Sequence, residues 1–316
     1  VVQLSRSPTI DTTRRRLEDN QEPRGREGTL SPVAAIAIGG GLLVAGAALV
    51  LIGTRVLAPV SQTNAPLWIL TALGASMVFM SLTILNIEWR QHGSDERRQT
   101  AAAARPDVQA FADYDWDPTG FSVSRWHGLV RFISGAAFFT LFMSIFNWWA
   151  FVADGPWLVK IVTGAFDALT LVIWGQTILR IGRAMKFHGS RVTFDRFPYR
   201  PGATAVLHWC GAQGVRLARR GSFTLRCVQE SIEHRGSGSN RSVWLVRDQV
   251  WAATLSFDSA QEFAPDEDVI LSFDVPADGL STTLSDRERP ICWELVVKLD
   301  LRGFDFAETY LVPVYK

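Results

Sequence analysis

The sequence predicts a membrane α-helical bundle of four transmembrane helices followed by a C-terminal all-β sandwich. Two observations carry this. Four apolar runs occupy the first two thirds of the chain, each close to the ~20 residues a helix needs to cross a bilayer. From Arg191 onward the apolar period falls to two, the spacing of half-buried strands. The formal net charge is +1, so no global field favours nucleic acid. Cys210, Cys227 and Cys292 all lie in the last third, with no C-x-x-C pair, which argues against a disulfide framework or a zinc knuckle.

The predicted organisation is a tail over 1–30, a helical domain over 31–188 with a loop at 89–127, and a β-domain over 189–316. The tail is polar and Arg-rich with few aromatics, which predicts at least partial disorder and does not fit the n-region of a signal peptide. The runs are Pro32 to Ile52, Leu67 to Ile87, Leu129 to Val152 and Trp157 to Ile181. Arg14, Arg15, Arg16, Arg24 and Arg26 precede the first. Arg90, Arg97, Arg98, Arg105 and Arg125 fill the loop, and Arg180, Arg183, Lys186 and Arg191 follow the last. The other side has little beyond Arg55, with Lys160 just inside the fourth run. The positive-inside rule therefore predicts that both termini are cytoplasmic. Trp148, Trp149 and Trp157 sit where an aromatic belt belongs, around the tight "VADGPW" connection.

Within the first run, Ala37, Gly41 and Ala45 form a small-xxx-small stripe suited to close helix packing, inside the bundle or against a partner protein. The neighbouring triple glycine is not a dinucleotide fingerprint, since no strand precedes it. In the fourth run, Asp167 falls near the bilayer midplane, where a charge is costly. Lys160, Thr163, Asp167, Thr170, Trp174 and Thr177 share one face, and Thr140, Ser144 and Asn147 offer a matching face on the third run. Asp167 can thus join two helices, contact a partner helix, or belong to a proton or ion path. No histidine lies inside a run. His92, His127 and His188 fall at run ends, and their spacing gives only a weak metal site, so no cofactor is expected.

The loop cluster "FADYDWDPTGF" lacks the spacing and glycine of an EF-hand and reads as a solvated, docked loop, with "DERRQTAAAA" before it as a short helix. Seven strands follow: "RVTFDRF", "TAVLHWC", "SFTLRCVQES", "SVWLVRDQVWAA", "VILSFDV", "CWELVVKLDL" and "FAETYLVPVY". Alternation turns Phe223, Leu225 and Cys227 inward, and likewise Trp293, Leu295, Val297 and Leu299. Cys292 then faces the opposite side, where it is expected to be exposed. "HRGSGSNRS" reads as a linker, because no lysine follows in Walker spacing.

Residues Arg191 to Tyr315 resemble an arrestin-like sandwich of an uncharacterised bacterial membrane-protein family, a domain of unknown function. The likeness is carried by Pro276, Trp293, Leu295, Val297, Gly303, Phe306, Pro313 and Val314 in "ILSFDVPADGLSTTLSDRERPICWELVVKLDLRGFDFAETYLVPVY", and by "FDRFPYRPGATAVLHWC". The resemblance implies an immunoglobulin-like fold at the bacterial inner membrane and no reaction, cofactor or catalytic residue. No GxSxG, HExxH or P-loop is present, and no Cys/His pair lies at a catalytic spacing. The expected function is a non-enzymatic adaptor or accessory subunit. It is expected to contact lipids and other membrane-protein subunits, with the oligomeric state open and no nucleic-acid partner. A transporter using Asp167, or a membrane-associated enzyme, is the alternative.

Overall fold

A computed structural model describes residues 2–3, 7–17, 32–56, 67–123, 125–235, 242–264, 268–286 and 289–316. The chain runs β1 (Val2–Gln3), β2 (Thr9–Asp11), β3 (Arg15–Arg16), α1 (Pro32–Gly53), α2 (Leu67–Ala104), α3 (Gln109–Asp113), β4 (Gly120–Ser122) and α4 (Arg125–Asn147). A π-helical turn (Trp148–Val152) leads to α5 (Trp157–Lys186). The remaining strands are β5 (Arg191–Phe194), β6 (Thr204–Cys210), β7 (Leu217–Arg235), β8 (Ser242–Phe257), β9 (Gln261–Glu262), β10 (Asp268–Asp274), β11 (Ile291–Leu301) and β12 (Phe306–Val312).

These elements form a helical unit (Thr29–Gly93 with Ser124–Ala184) and a β unit (Val1–Gly28, Ser94–Val123 and Met185–Lys316). The sequence division at 30 and 188 therefore differs from the packing. Described residues of the tail and residues 94–123 of the 89–127 loop belong with the strands, while the two ends of that loop belong with the helices. "DERRQTAAAA" is not a separate helix but the end of α2, since its Ala, Arg, Glu and Gln are strong helix formers that give no stop signal.

Among the described residues four helices are long and apolar enough to cross a bilayer: Val33–Gly53, Leu67–Ala104, Phe132–Val152 and Trp157–Lys186. The small residues that bring α1 onto α2 are Gly39, Gly46 and Gly53, seven apart and so on one face every two turns. A Cβ on Gly46 would stand 2.7 Å from the Gly74 carbonyl oxygen and 2.9 Å from Val78 N. Both are backbone atoms, so no larger residue fits without parting the helices. Ser81 Oγ donates to Gly39 O at 2.6 Å along the same seam. The stripe Ala37, Gly41 and Ala45 is exposed in the described structure, and a Cβ on Gly41 meets nothing within 4 Å. It takes no part in the α1–α2 contact, because a four-residue step drifts around the helix away from the seven-residue seam.

The β unit has two sheets, ordered β1-β10-β6-β5-β4 and β12-β11-β7-β8-β2, with β3 also on β8 and β9 on β7. One core lies between them. Trp209 centres it, with ring centroids 5.3 Å from Phe223, 5.9 Å from Phe263 and 5.8 Å from Phe306. Trp293, Leu295, Val297 and Leu299 are buried there, as are Phe223, Leu225 and Cys227, in the alternation read from the sequence. Each such side chain contributes roughly 1.5–3 kcal/mol on burial. Gly303 has φ +91 in the β11–β12 turn, a conformation that favours glycine.

Candidate functional site

The face of the seven-stranded sheet turned away from this core is also covered. Ala110, Phe111 and Trp116 from residues 94–123 cluster there with Val228, Cys292, Leu311 and Tyr315. The loop is docked as expected but not solvated at these positions. Cys292 is 1% exposed, not open to solvent, because α3 and the turn after it lie over its face. Asp113 anchors the segment. Its carboxylate accepts from Leu284 N at 2.9 Å, Ser285 N at 2.7 Å and the Tyr315 hydroxyl at 2.6 Å. Trp116 Nε1 donates to Tyr315 Oη at 3.0 Å. Burial, then the Asp113 charge, pushes the Tyr315 phenol far above its ordinary range.

On this face four charged side chains meet. Arg226 Nη2 lies 2.5 Å from Glu294 Oε1, Arg247 Nη2 lies 3.0 Å from Glu294 Oε2, and Arg247 Nε lies 3.0 Å from Glu230 Oε1. The Glu294 side chain is 0% exposed and those of Arg247 and Glu230 nearly so. Period two places Arg226, Glu230 and Glu294 on the outer face, so the sequence reads them as solvated, and a register shift opposite Cys227/Val228 brings Arg247 to the same face as Glu230. Two cations against two anions leave no net charge, and the planar fork of Arg247 bridges both carboxylates. The cluster is closed and self-satisfied, a structural lock and not an acid–base pair. Cys227 beneath it is no nucleophile. Burial, helped by Glu294, pushes its thiol up to about 12.

Beside this cluster runs the edge strand β8. Thr9, Ile10 and Asp11 pair antiparallel with Thr254, Ala253 and Ala252, and Arg15 and Arg16 with Gln249 and Asp248. The tail, expected to be partly disordered, here supplies the outermost strands over residues 9–11 and 15–16. Residues 18–31 lie outside the described residues. Arg14 Nη2 lies 2.9 Å from Asp248 Oδ2, Arg16 Nη2 lies 2.9 Å from Glu233 Oε2, and Leu17 N donates to Arg247 O at 2.8 Å. Arg14 and Arg16 are largely exposed, so each ion pair contributes ~0–1 kcal/mol. Two other edges are closed likewise. β4 from the loop pairs with β5, and β1 from the tail pairs in parallel with β10.

In the helical unit, Asn147 Nδ2 donates to Asp167 Oδ1 at 2.8 Å, and Trp174 Nε1 donates to Thr140 Oγ1 at 2.9 Å. Both bonds join α4 to α5 and lie seven residues apart on each helix. Thr163 is buried one turn from Asp167. Ser144 instead bonds its own helix at Leu141 O, and Thr170 and Thr177 do the same at Phe166 O and Ile173 O. Lys160 Nζ pairs with Asp154 Oδ1 at 2.6 Å. Of the histidines, His188 is exposed with Nδ1 2.9 Å from Met185 O, and His92 is exposed on α2. The side chain of His127 lies outside the described residues. Among the described residues no group of three His, Cys, Asp or Glu is placed to hold a metal ion.

No protein-family model matches the chain. No curated protein matches it either. Among solved structures, the crystal structure of Spo0M, a sporulation control protein from Bacillus subtilis, is similar at 16% identity and a TM-score of 0.23. The likeness covers 40% of this chain and 48% of that one, so the chain spans about half the length of Spo0M. A likeness this distant carries no functional inference.

Proposed function

We propose that the chain is a non-enzymatic adaptor or accessory subunit of the bacterial inner membrane, in which four transmembrane helices anchor a cytoplasmic, arrestin-like sandwich that grips another protein. One observation carries the reading. Among the described residues, the long edge strand β8, 16 residues, is closed only by short strands of the chain's own tail, three residues at Thr9–Asp11 and two at Arg15–Arg16. An edge of that kind accepts an extended peptide by β-augmentation. The apolar exterior of the helices fits lipid. Leu171 on α5 is 74% exposed and Val44 on α1 is 71% exposed. The arginine distribution supports a cytoplasmic β unit. The exposed Ala37, Gly41 and Ala45 stripe is open for a neighbouring subunit's helix.

A second reading, a small-molecule or ion transporter, is favoured by the Asn147–Asp167 bond, which keeps an acid among the membrane helices. One experiment separates the two. Native mass spectrometry of the chain released from mild detergent is expected to find a protein partner at fixed stoichiometry. Wild-type and Asp167→Asn vesicles are expected to take up protons equally slowly under a pH gradient. An unpartnered chain whose proton flux vanishes in Asp167→Asn overturns the adaptor reading in favour of transport.

A further inference from the structure

We infer that the outer edge of β8 is an acceptor site for an extended segment of another protein carrying basic residues at alternate positions, and that the tail is its resident occupant in cis. The inference deepens the adaptor reading and rests on it. Four observations support it.

The tail's hold is discontinuous, with ladder pairs at 9–11 and 15–16 and none at 12–14. The docked strand contributes little buried side-chain surface, and Ile10 is 58% exposed. Affinity in such a site comes from main-chain bonds, and discrimination from the side chains that alternate along the strand. Here these are Arg14 and Arg16, two apart, answering Asp248 and Glu233. Arg14 also reaches Gln229 Oε1 at 3.3 Å, and Arg15 on the opposite face reaches Gln249 Oε1 at 3.4 Å. Gln249 Nε2 is buried without a hydrogen-bond partner, an unused donor next to the tail. The acceptor rim is thus acidic and amide-lined, and its complement is a strand reading Arg-x-Arg or Lys-x-Lys. A foreign strand of that pattern makes the same bonds as the tail, so occupancy is a competition set by effective concentration.

The probe is a fluorescein-labelled peptide of residues 7–17, titrated onto the full chain in lipid nanodiscs and read by anisotropy. The wild-type chain, whose site is filled, is expected to bind weakly. The R14E/R16E chain, whose own tail is repelled, is expected to bind at least tenfold more tightly, and less so as salt rises. The D248R/E233R chain with its tail otherwise wild type, whose own Arg14 and Arg16 are then repelled, is expected to leave the wild-type peptide unbound and to restore tight binding with a peptide carrying Glu at positions 14 and 16. That restoration distinguishes loss of the site from loss of the fold. Equal affinity for wild-type and R14E/R16E chains overturns the inference, as does failure of the charge-swapped peptide. Mixed dimers of differently tagged wild-type chains that vanish in R14E/R16E assign the edge to a second copy's tail instead, and overturn the foreign-strand assignment. If the peptide behaves as expected but no protein partner is found in native mass spectra, the acceptor edge stands and the adaptor reading falls. A stoichiometric partner with an indifferent peptide gives the reverse.

Discussion

Replacing Glu294 by alanine is expected to lower the unfolding free energy of the β unit by about 3–5 kcal/mol, the usual cost of removing one partner from a buried ion pair. Glu294 holds two cations at once, Arg226 and Arg247, and its side chain is fully buried. Without it Arg247 keeps Glu230, but Arg226 loses its carboxylate while still only 10% exposed. The cost arises from removing the carboxylate that faces a buried guanidinium and not from the lost attraction alone. The exposed pair Arg220–Asp300 is the control. Its nitrogen and oxygen are 2.9 Å apart, yet Arg220→Ala is expected to cost less than ~1 kcal/mol, because water already solvates the 73%-exposed arginine. Denaturant unfolding followed by tryptophan emission reads both variants, since Trp251 and Trp293 pack tilted against each other with centroids 5.3 Å apart in the adjoining core.

The second large effect is expected at Asp113. Asp113→Ala leaves Leu284 N, Ser285 N and the Tyr315 hydroxyl without their acceptor, and each buried donor left unsatisfied costs ~1–3 kcal/mol. Tyr315→Phe removes one of the three bonds and is expected to cost ~1 kcal/mol. The two variants also differ in kind. Asp113→Ala frees the 94–123 segment from the sheet, so trypsin is expected to cut at Arg105 many times faster than in the wild-type chain. Tyr315→Phe, which keeps both backbone bonds to Asp113, is expected to be cut near the wild-type rate. Equal cleavage of all three chains would mean that Asp113 does not hold the segment.

These two sites mark where the sequence was hard to read. Strand positions were legible because inward apolar residues repeat every second place, as in Trp293, Leu295 and Val297. The covered outer face was not, because a charged residue at an outward position looks solvated whether or not something lies over it. The signal was present in "ICWELVVKL". Cys292 and Val296 flank Glu294 on the outward register, so both faces of the strand are apolar, the mark of a strand buried on both sides. Asp113 was hidden for another reason. Its partners at 284, 285 and 315 are far away in sequence, and no local period records them. The helix seam was legible as Gly39, Gly46 and Gly53, but a four-residue stripe competes with a seven-residue one wherever small residues are dense. Asn147 and Asp167, which bond across α4 and α5, stood out in the sequence only as members of two facing polar sets, because each is isolated among apolar neighbours. The tail was read by composition, which misses that a few residues can be ordered by the edge they complete.

The central claim is that the β8 edge does the gripping and the tail competes for it. The direct measurement is a lock. Thr9→Cys with Thr254→Cys places a cysteine pair on register partners, in a chain whose own three cysteines are buried. The chain is extracted in mild detergent, oxidised or reduced, and its bound proteins are quantified by mass spectrometry. The account predicts that the oxidised chain, its tail tethered to β8, loses partners that the reduced chain retains. The same partners in the same amounts with the lock closed and open would contradict it.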